Sequence, residues 1–109
     1  MSSAADYGVV STTVAERDDA ERIAALLLEE KLAACVQIFR IDSRYVWKGE
    51  TSHQPELMLL IKTRTALFEN VMEKLVAEHP YETPEIVATP FAAGFAGYFS
   101  WIDENTRPA

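Results

Sequence analysis

Apolar positions along the chain alternate between strand-like and helix-like spacing, a pattern that predicts an α+β domain. Residues 7–14 are rich in β-branched side chains and predict a first strand. After Asp18, a candidate helix N-cap, apolar residues recur at helical spacing until about Ala33. Residues 35–47 predict a long second strand, and Lys48-Gly49-Glu50 predicts the turn that follows it.

The second half of the chain repeats the change from strand to helix. Residues 57–63 are almost entirely apolar, which is typical of a strand that is covered on both faces. Thr65 is a candidate N-cap for a second helix, and Pro80 should end that helix. Residues 85–90 then predict a fourth strand, and apolar side chains within 98–102 share one face of a short terminal helix.

The predicted order is therefore β-α-β-β-α-β with a short C-terminal helix. Each helix has one apolar stripe to bury, so both should cover the same face of a four-stranded antiparallel sheet. That arrangement is ferredoxin-like. We expect a single domain over residues 7–103, with loose tails at 1–6 and 104–109.

The second face of this sheet should also be apolar. Residues 57–61 present apolar side chains to both sides, and Tyr45 and Trp47 share one side of the neighbouring strand. Single-chain proteins avoid an exposed apolar patch of this size. The pattern therefore predicts that further copies of the chain cover the face, although it does not give their number.

Composition excludes several classes of function. The 109 residues carry 17 acidic and 10 basic side chains, a net charge of -7, which disfavours binding to nucleic acid. No apolar run approaches the ~20 residues of a membrane span. Residues 1–6 lack the features of a secretory signal, and Cys35 is the only cysteine, so we expect a cytoplasmic protein without a disulfide.

The chain carries no signature of an enzyme. Its four glycines are dispersed and form no phosphate-binding loop, and neither G-x-S-x-G nor H-E-x-x-H occurs. Cys35 and His79 could pair as nucleophile and base, but the sequence supplies no third group to orient them. We therefore predict no catalytic residue and no enzymatic activity.

Five segments resemble a known family, in the right order and at compatible spacing between residues 9 and 102. They are residues 30–36 (EKLAACV), 43–49 (SRYVWKG), 61–63 (IKT), 79–85 (HPYETPE) and 98–102 (YFSWI). Together they resemble the CutA divalent-cation tolerance family, and the HPYETPE segment is the most specific of them.

The resemblance implies a ferredoxin-like subunit in a homotrimer whose sheets face the threefold axis, an architecture similar to that of the PII signalling proteins. It implies no catalysed reaction and no organic cofactor. It does imply tolerance of, or weak binding to, Cu2+ or another divalent cation, and a role in the response to metal ions. The alternative is a PII-like signalling module that binds a small molecule in the cleft between subunits.

The resemblance also implies a candidate metal site at His79, Glu78 and Thr12. In some relatives the ligands include a cysteine on the first strand and two adjacent histidines before the proline. Thr12 and Glu78 stand at two of these positions here, and only His79 is retained. A hydroxyl, a carboxylate and one imidazole form a harder and weaker site for copper than a set with a thiolate. His53, in the hairpin, should be solvated.

A second candidate site is a ligand-binding cleft between subunits, formed by Cys35, Lys62, Tyr81 and Glu85. Pro80 and Pro84 stiffen the loop that carries Tyr81. The alternative for Cys35 is an inert, buried residue at the start of a strand. Large aromatic side chains dominate burial at interfaces, so Tyr45, Trp47 and Trp101 are the candidate anchors of the oligomer.

Overall fold

Two helices pack against one face of a four-stranded antiparallel sheet in the computed structural model, which describes residues 2–109. The strand order is β2-β3-β1-β4. The elements, in chain order, are β1 (Tyr7–Val14), α1 (Arg17–Glu29), β2 (Cys35–Trp47), β3 (Glu50–Arg64), α2 (Phe68–Glu78), β4 (Ile86–Pro90) and α3 (Ala96–Glu104). This architecture confirms the predicted ferredoxin-like α+β class, with its C-terminal helix.

Both ends of α1 differ from the prediction. The helix begins at Arg17 with Glu16 as N-cap, so Asp18 lies within the first turn. Its negative charge interacts favourably there with the positive end of the helix dipole. The helix ends at Glu29 instead of near Ala33. Lys31 has φ +55, in the left-handed region that ends helices.

α2 also begins later than predicted. Thr65 does not cap it: a 3-10 turn, Thr65–Leu67, comes first, and α2 starts at Phe68. The helix ends at Glu78, and His79 takes an extended conformation, as expected for a residue before proline.

β3 is longer than its apolar run. It starts at Glu50 because β2 and β3 pair without interruption from Cys35↔Lys62 to Trp47↔Glu50. The polar residues 51–55 therefore belong to a strand. Lys48 (φ 51) and Gly49 (φ 82) form the two-residue turn between the strands, with the positive φ values that tight hairpins require.

The hydrophobic core lies between the helices and one face of the sheet. Directly opposed residues share a face, and the rows through Val10↔Ile61 and Thr12↔Leu59 point towards the helices. Leu59 and Ile61 are fully buried. The core residues on the helices are Ala20, Ile23, Leu27, Val71 and Leu75.

Neither α1 nor α2 covers the opposite side of the sheet, which we call the open face, and α3 packs only on the end of it that carries Tyr7. Its apolar side chains come from all four strands, and they are Val9, Phe39, Ile41, Met58, Leu60 and Val87. Phe39 remains 46% exposed and Val87 51% exposed. The structure thus confirms that apolar side chains lie on both sides of β3.

The outer part of the β2–β3 hairpin projects beyond the rest of the sheet. Pairing of β1 with β3 ends at Val14↔Leu57, so residues 41–47 and 50–56 form a two-stranded ribbon, which we call the arm. At ~3.4 Å per residue the arm is about 24 Å long. It contributes to the 48 Å longest dimension of the chain.

Both termini make contacts with the domain. Residues 4–6 form a 3-10 turn before β1. At the C-terminal end, Asp103 Oδ2 accepts a hydrogen bond from the Tyr7 hydroxyl at 2.6 Å, and the Arg107 amide donates to the Lys31 carbonyl at 2.8 Å. α3 extends to Glu104, one residue into the predicted C-terminal tail.

Candidate functional site

His79 joins the end of α2 to β1 through one ring nitrogen. Its Nε2 lies 2.9 Å from the Thr13 carbonyl oxygen and 3.1 Å from Thr12 Oγ1. A carbonyl can only accept, so the hydrogen-bond network assigns the ring proton to Nε2. The structure therefore brings together two residues of the predicted metal site, Thr12 and His79.

The other ring nitrogen of His79 is also engaged. The Tyr81 amide donates to Nδ1 at 3.1 Å. Burial lowers the pKa of His79, so the ring is neutral at pH 7. A metal ion would have to displace either this amide or the proton on Nε2.

The carboxylate of Glu78, the third residue of the predicted set, is held by Arg22. Arg22 Nη1 lies 2.9 Å from Glu78 Oε1, and Arg22 Nη2 donates to the Glu78 carbonyl oxygen at 2.9 Å. Within residues 2–109, no group of three or more His, Cys, Asp or Glu side chains could hold a metal ion. The three predicted residues are neighbours, but they form no ready set of donors.

Tyr81 continues the chain of hydrogen bonds to the arm. Its hydroxyl donates to Glu56 Oε2 at 2.7 Å and accepts from Gln54 Nε2 at 3.1 Å. Burial, followed by the hydrogen bond to Glu56, raises the pKa of the Tyr81 phenol well above its usual value. Tyr81 is therefore a neutral donor, and His79 fixes its backbone.

Glu56 is the most deeply buried carboxylate next to this chain of hydrogen bonds, with 7% of its surface exposed. Burial alone would raise its pKa. Hydrogen bonds from the side chains of Ser43, Tyr81, Thr13 and Gln54 reverse that effect, and the net pKa is lowered. Glu56 is thus ionised at neutral pH and is solvated by neutral donors.

This arrangement gives a stability that depends on pH. A carboxylate whose folded pKa lies below its unfolded value of 4.5 stabilises the fold above pH 4.5, and the contribution is lost as pH falls through the folded pKa. We expect Glu56→Gln to reduce stability at pH 7 by about 1–3 kcal/mol and to flatten the decline below pH 4.5.

Urea unfolding between pH 3 and pH 7, followed by circular dichroism, checks this expectation. Glu50→Gln, on the same strand and exposed, is the matched control. If the two variants lose stability in parallel at every pH, Glu56 has no special role.

Glu56 and Tyr81 border a cavity of about 850 Å3 at the base of the arm, which we call the arm pocket. Residues of the arm form one wall, and the loop of residues 80–85 forms the other. Its lining side chains include the aromatic residues Tyr45, Trp47 and Tyr81, the carboxylates Asp42, Glu56, Glu82 and Glu85, and Arg44. Two residues of the predicted cleft, Tyr81 and Glu85, therefore line the same cavity.

The other two residues of the predicted cleft, Cys35 and Lys62, lie at the opposite end of the open face. They are paired across β2 and β3, six residues along β3 from Glu56. At ~3.4 Å per residue the separation is about 20 Å. Lys62 Nζ donates to Gln37 Oε1 at 2.8 Å, and burial together with the nearby Cys35 thiol raises the pKa of Tyr98. One chain therefore does not unite the four predicted residues.

The three predicted interface aromatics are large and partly exposed. Tyr45 is 37% exposed, and Trp47 and Trp101 are each 40% exposed. Trp101 stacks on Tyr98 with ring centroids 5.7 Å apart, close to the Cys35 end of the open face. These exposures are compatible with a role as anchors, which stays a prediction.

Sequence reasoning missed Glu56, Gln54 and Arg22. Glu56 and Gln54 flank Pro55 in a polar stretch without an apolar pattern, and only the pairing of β2 with β3 shows that both point to the open face. Arg22 is one of several charges on α1, and nothing in its spacing indicates a contact with the end of α2.

The fold and these contacts define a ferredoxin-like α+β subunit with a long projecting hairpin. A family model described as "CutA1 divalent ion tolerance protein" matches residues 8–105. The chain belongs to this family.

The relatives match this chain in sequence or in structure over about nine-tenths of its length. The divalent-cation tolerance protein CutA of Thermus thermophilus is 48% identical over 99 residues, which cover 90% of this chain and 96% of that one. The chloroplastic protein CutA of Arabidopsis thaliana is 40% identical over 100 residues, covering 91% of this chain and 55% of that one. The structure of the periplasmic divalent cation tolerance protein CutA of Archaeoglobus fulgidus superimposes with a TM-score of 0.88 at 40% identity, covering 91% and 97% of the two chains.

These names speak of divalent-ion tolerance and of no catalysed reaction. They give no support to the alternative of a PII-like signalling module. No helix within residues 2–109 has the length and apolar character needed to cross a membrane. One relative is named as chloroplastic and another as periplasmic, so the predicted cytoplasmic location stays a prediction.

Proposed function

We propose that this CutA1 family member is a homotrimeric protein of the divalent-cation response that binds a divalent metal ion weakly through His79. The observation that carries the proposal is the neutral imidazole of His79 in contact with the Thr12 hydroxyl, in a chain whose family is named for divalent ions. Neutral imidazole is a good donor to copper and zinc.

Weak binding follows from the groups that a metal ion would displace. Binding at Nδ1 breaks the hydrogen bond from the Tyr81 amide, and binding at Glu78 competes with the Arg22 guanidinium. Thr12 offers a hydroxyl, which is a poor ligand for a soft ion. Each competing contact subtracts from the affinity, so the site is occupied transiently and not permanently.

The open face supports self-association, and the number of three copies comes from the resemblance to the family. Phe39 and Val87 are about half exposed there, beside Met58 and Leu60 on the central strand. The arm adds a second reason, because a two-stranded ribbon is marginally stable in water unless other structure packs on it. Further copies of the chain would cover both features.

Isothermal titration with Cu2+ tests the metal site. We expect weak binding to the unmodified protein and at least about a tenfold loss of affinity in His79→Ala, since one good ligand is worth 1.4 kcal/mol or more. Thr12→Cys should bind more tightly because it places a thiol beside the imidazole.

His53→Ala is the matched control, since His53 is the only other histidine and lies on the arm. Equal heats from the unmodified protein and His79→Ala would exclude His79 as a ligand. A loss confined to His53→Ala would assign the binding to the arm instead.

A further inference from the structure

Glu56 carries a buried negative charge that no cationic side chain of the described residues contacts, although Arg17, Arg40 and Arg44 line the two cavities that it borders. Only 7% of the residue is exposed, its carboxylate accepts a hydrogen bond from the Tyr81 hydroxyl at 2.7 Å, and the other side chains that lower its pKa, Ser43, Thr13 and Gln54, are neutral. Within residues 2–109, no Lys, Arg or His nitrogen lies within 4.0 Å of its carboxylate oxygens. Buried charges in proteins are normally paired with an opposite charge, so we expect a positive group from outside the chain to lie against Glu56.

The arm pocket opens directly onto this carboxylate. Its volume of about 850 Å3 is in the range of small-molecule sites. Asp42, Glu82 and Glu85 add three further carboxylates to its lining, while Arg44 is the single cationic side chain. The electrostatic potential inside is therefore negative, and it favours a cation over an anion.

The walls of the pocket suit an organic cation better than a metal ion. Tyr45, Trp47 and Tyr81 present aromatic surface, which attracts ammonium and guanidinium groups to its faces. Trp47 already makes a cation–π contact within the chain, since Lys48 Nζ lies 5.8 Å from the centroid of its ring. A metal ion would need direct coordination by Glu56, which already accepts a hydrogen bond from the Tyr81 hydroxyl at Oε2.

We propose that the arm pocket binds a compact organic cation, an alkylammonium or a guanidinium group, whose charge compensates Glu56 and whose carbon skeleton packs on Tyr45, Trp47 and Tyr81. The cation has two possible sources: a free small molecule, or a lysine or arginine side chain of a second copy of this chain. The inference does not depend on metal binding at His79.

Binding of putrescine and arginine to the full chain, measured by isothermal titration at low ionic strength, tests the proposal. Butane-1,4-diol and succinate are the neutral and anionic analogues, and neither should bind. Glu56→Gln keeps an acceptor for Tyr81 but removes the charge, and it should weaken binding of the cations at least tenfold. Glu50→Gln, which changes a carboxylate of the arm outside the pocket, should leave their affinity unchanged.

A second variant keeps the test informative if Glu56→Gln fails to fold. Tyr45 is 37% exposed, so Tyr45→Ala should fold, and it should weaken binding of the cations severalfold through loss of aromatic contact. Circular dichroism of each variant separates lost binding from lost structure.

Sedimentation distinguishes the two sources. If a second copy supplies the cation, Glu56→Gln shifts the assembly towards smaller species, and excess arginine does the same to the unmodified protein. If the ligand is free, the cations bind and the mass stays constant. The proposal is overturned if neither cation binds and Glu56→Gln assembles normally. It is also overturned if divalent metals alone bind in a manner that depends on Glu56.

Discussion

Leu59→Ala should lower the free energy of unfolding by about 3 kcal/mol, because the substitution opens a cavity that the surrounding core cannot fill. Leu59 is fully buried at the centre of β3, on the face that packs against α1 and α2. Urea unfolding measured by circular dichroism gives the change, which should be the same at every protein concentration because the residue lies inside one chain.

Leu60→Ala is the matched control, one residue along the same strand but on the open face. Its loss of stability should be small in dilute protein and should grow as the concentration rises, since Leu60 is only partly buried in one chain and the proposed assembly would complete its burial. Equal losses from the two variants at all concentrations would contradict the assignment of the two faces.

Leu60→Glu should prevent self-association. The open face is proposed to be buried between copies, and burying an unpaired carboxylate costs several kcal/mol for each copy. Summed over a trimer, this is enough to lower the assembly constant by a factor on the order of a thousand or more. Sedimentation equilibrium should therefore give a mass near 12.2 kDa for the variant and about three times that for the unmodified chain.

Val76→Glu introduces the same charge on α2, at a residue that is 66% exposed, and it should leave the trimer intact. A folded Leu60→Glu variant that still sediments as a trimer would exclude the open face as the interface. An unmodified protein of single-chain mass would remove the homotrimer from the proposed function altogether.

The sequence predicted the type and order of the elements because the apolar spacing reports directly which face of each element is buried. The predicted boundaries were wrong where backbone conformation or strand pairing, and not apolar spacing, decides where an element begins or ends. α1 ends before Ala33 because Lys31 takes a left-handed conformation. β3 starts at Glu50 because β2 supplies a pairing partner for polar residues that have no apolar pattern of their own.

The candidate site was less predictable, because it depends on contacts between residues that are distant in sequence. Similarity to the family indicated Thr12, Glu78 and His79, but Arg22, which holds Glu78, lies 56 residues away in the chain. The pairing register of β2 with β3 places Cys35 and Lys62 far from Tyr81 and Glu85. The sequence alone does not determine that register. Nothing in the sequence around Glu56 indicates that this carboxylate is buried in the fold.

The contact between Thr12 and His79 should leave a mark on evolution. Thr12 is fully buried, and its hydroxyl lies 3.1 Å from the imidazole nitrogen of His79. An apolar residue at position 79 would deprive this buried hydroxyl of its partner inside the protein. Lineages that keep a hydroxyl or thiol at position 12 should therefore also keep the histidine, and a hydroxyl or thiol buried there without a histidine at position 79 would show that the contact is dispensable.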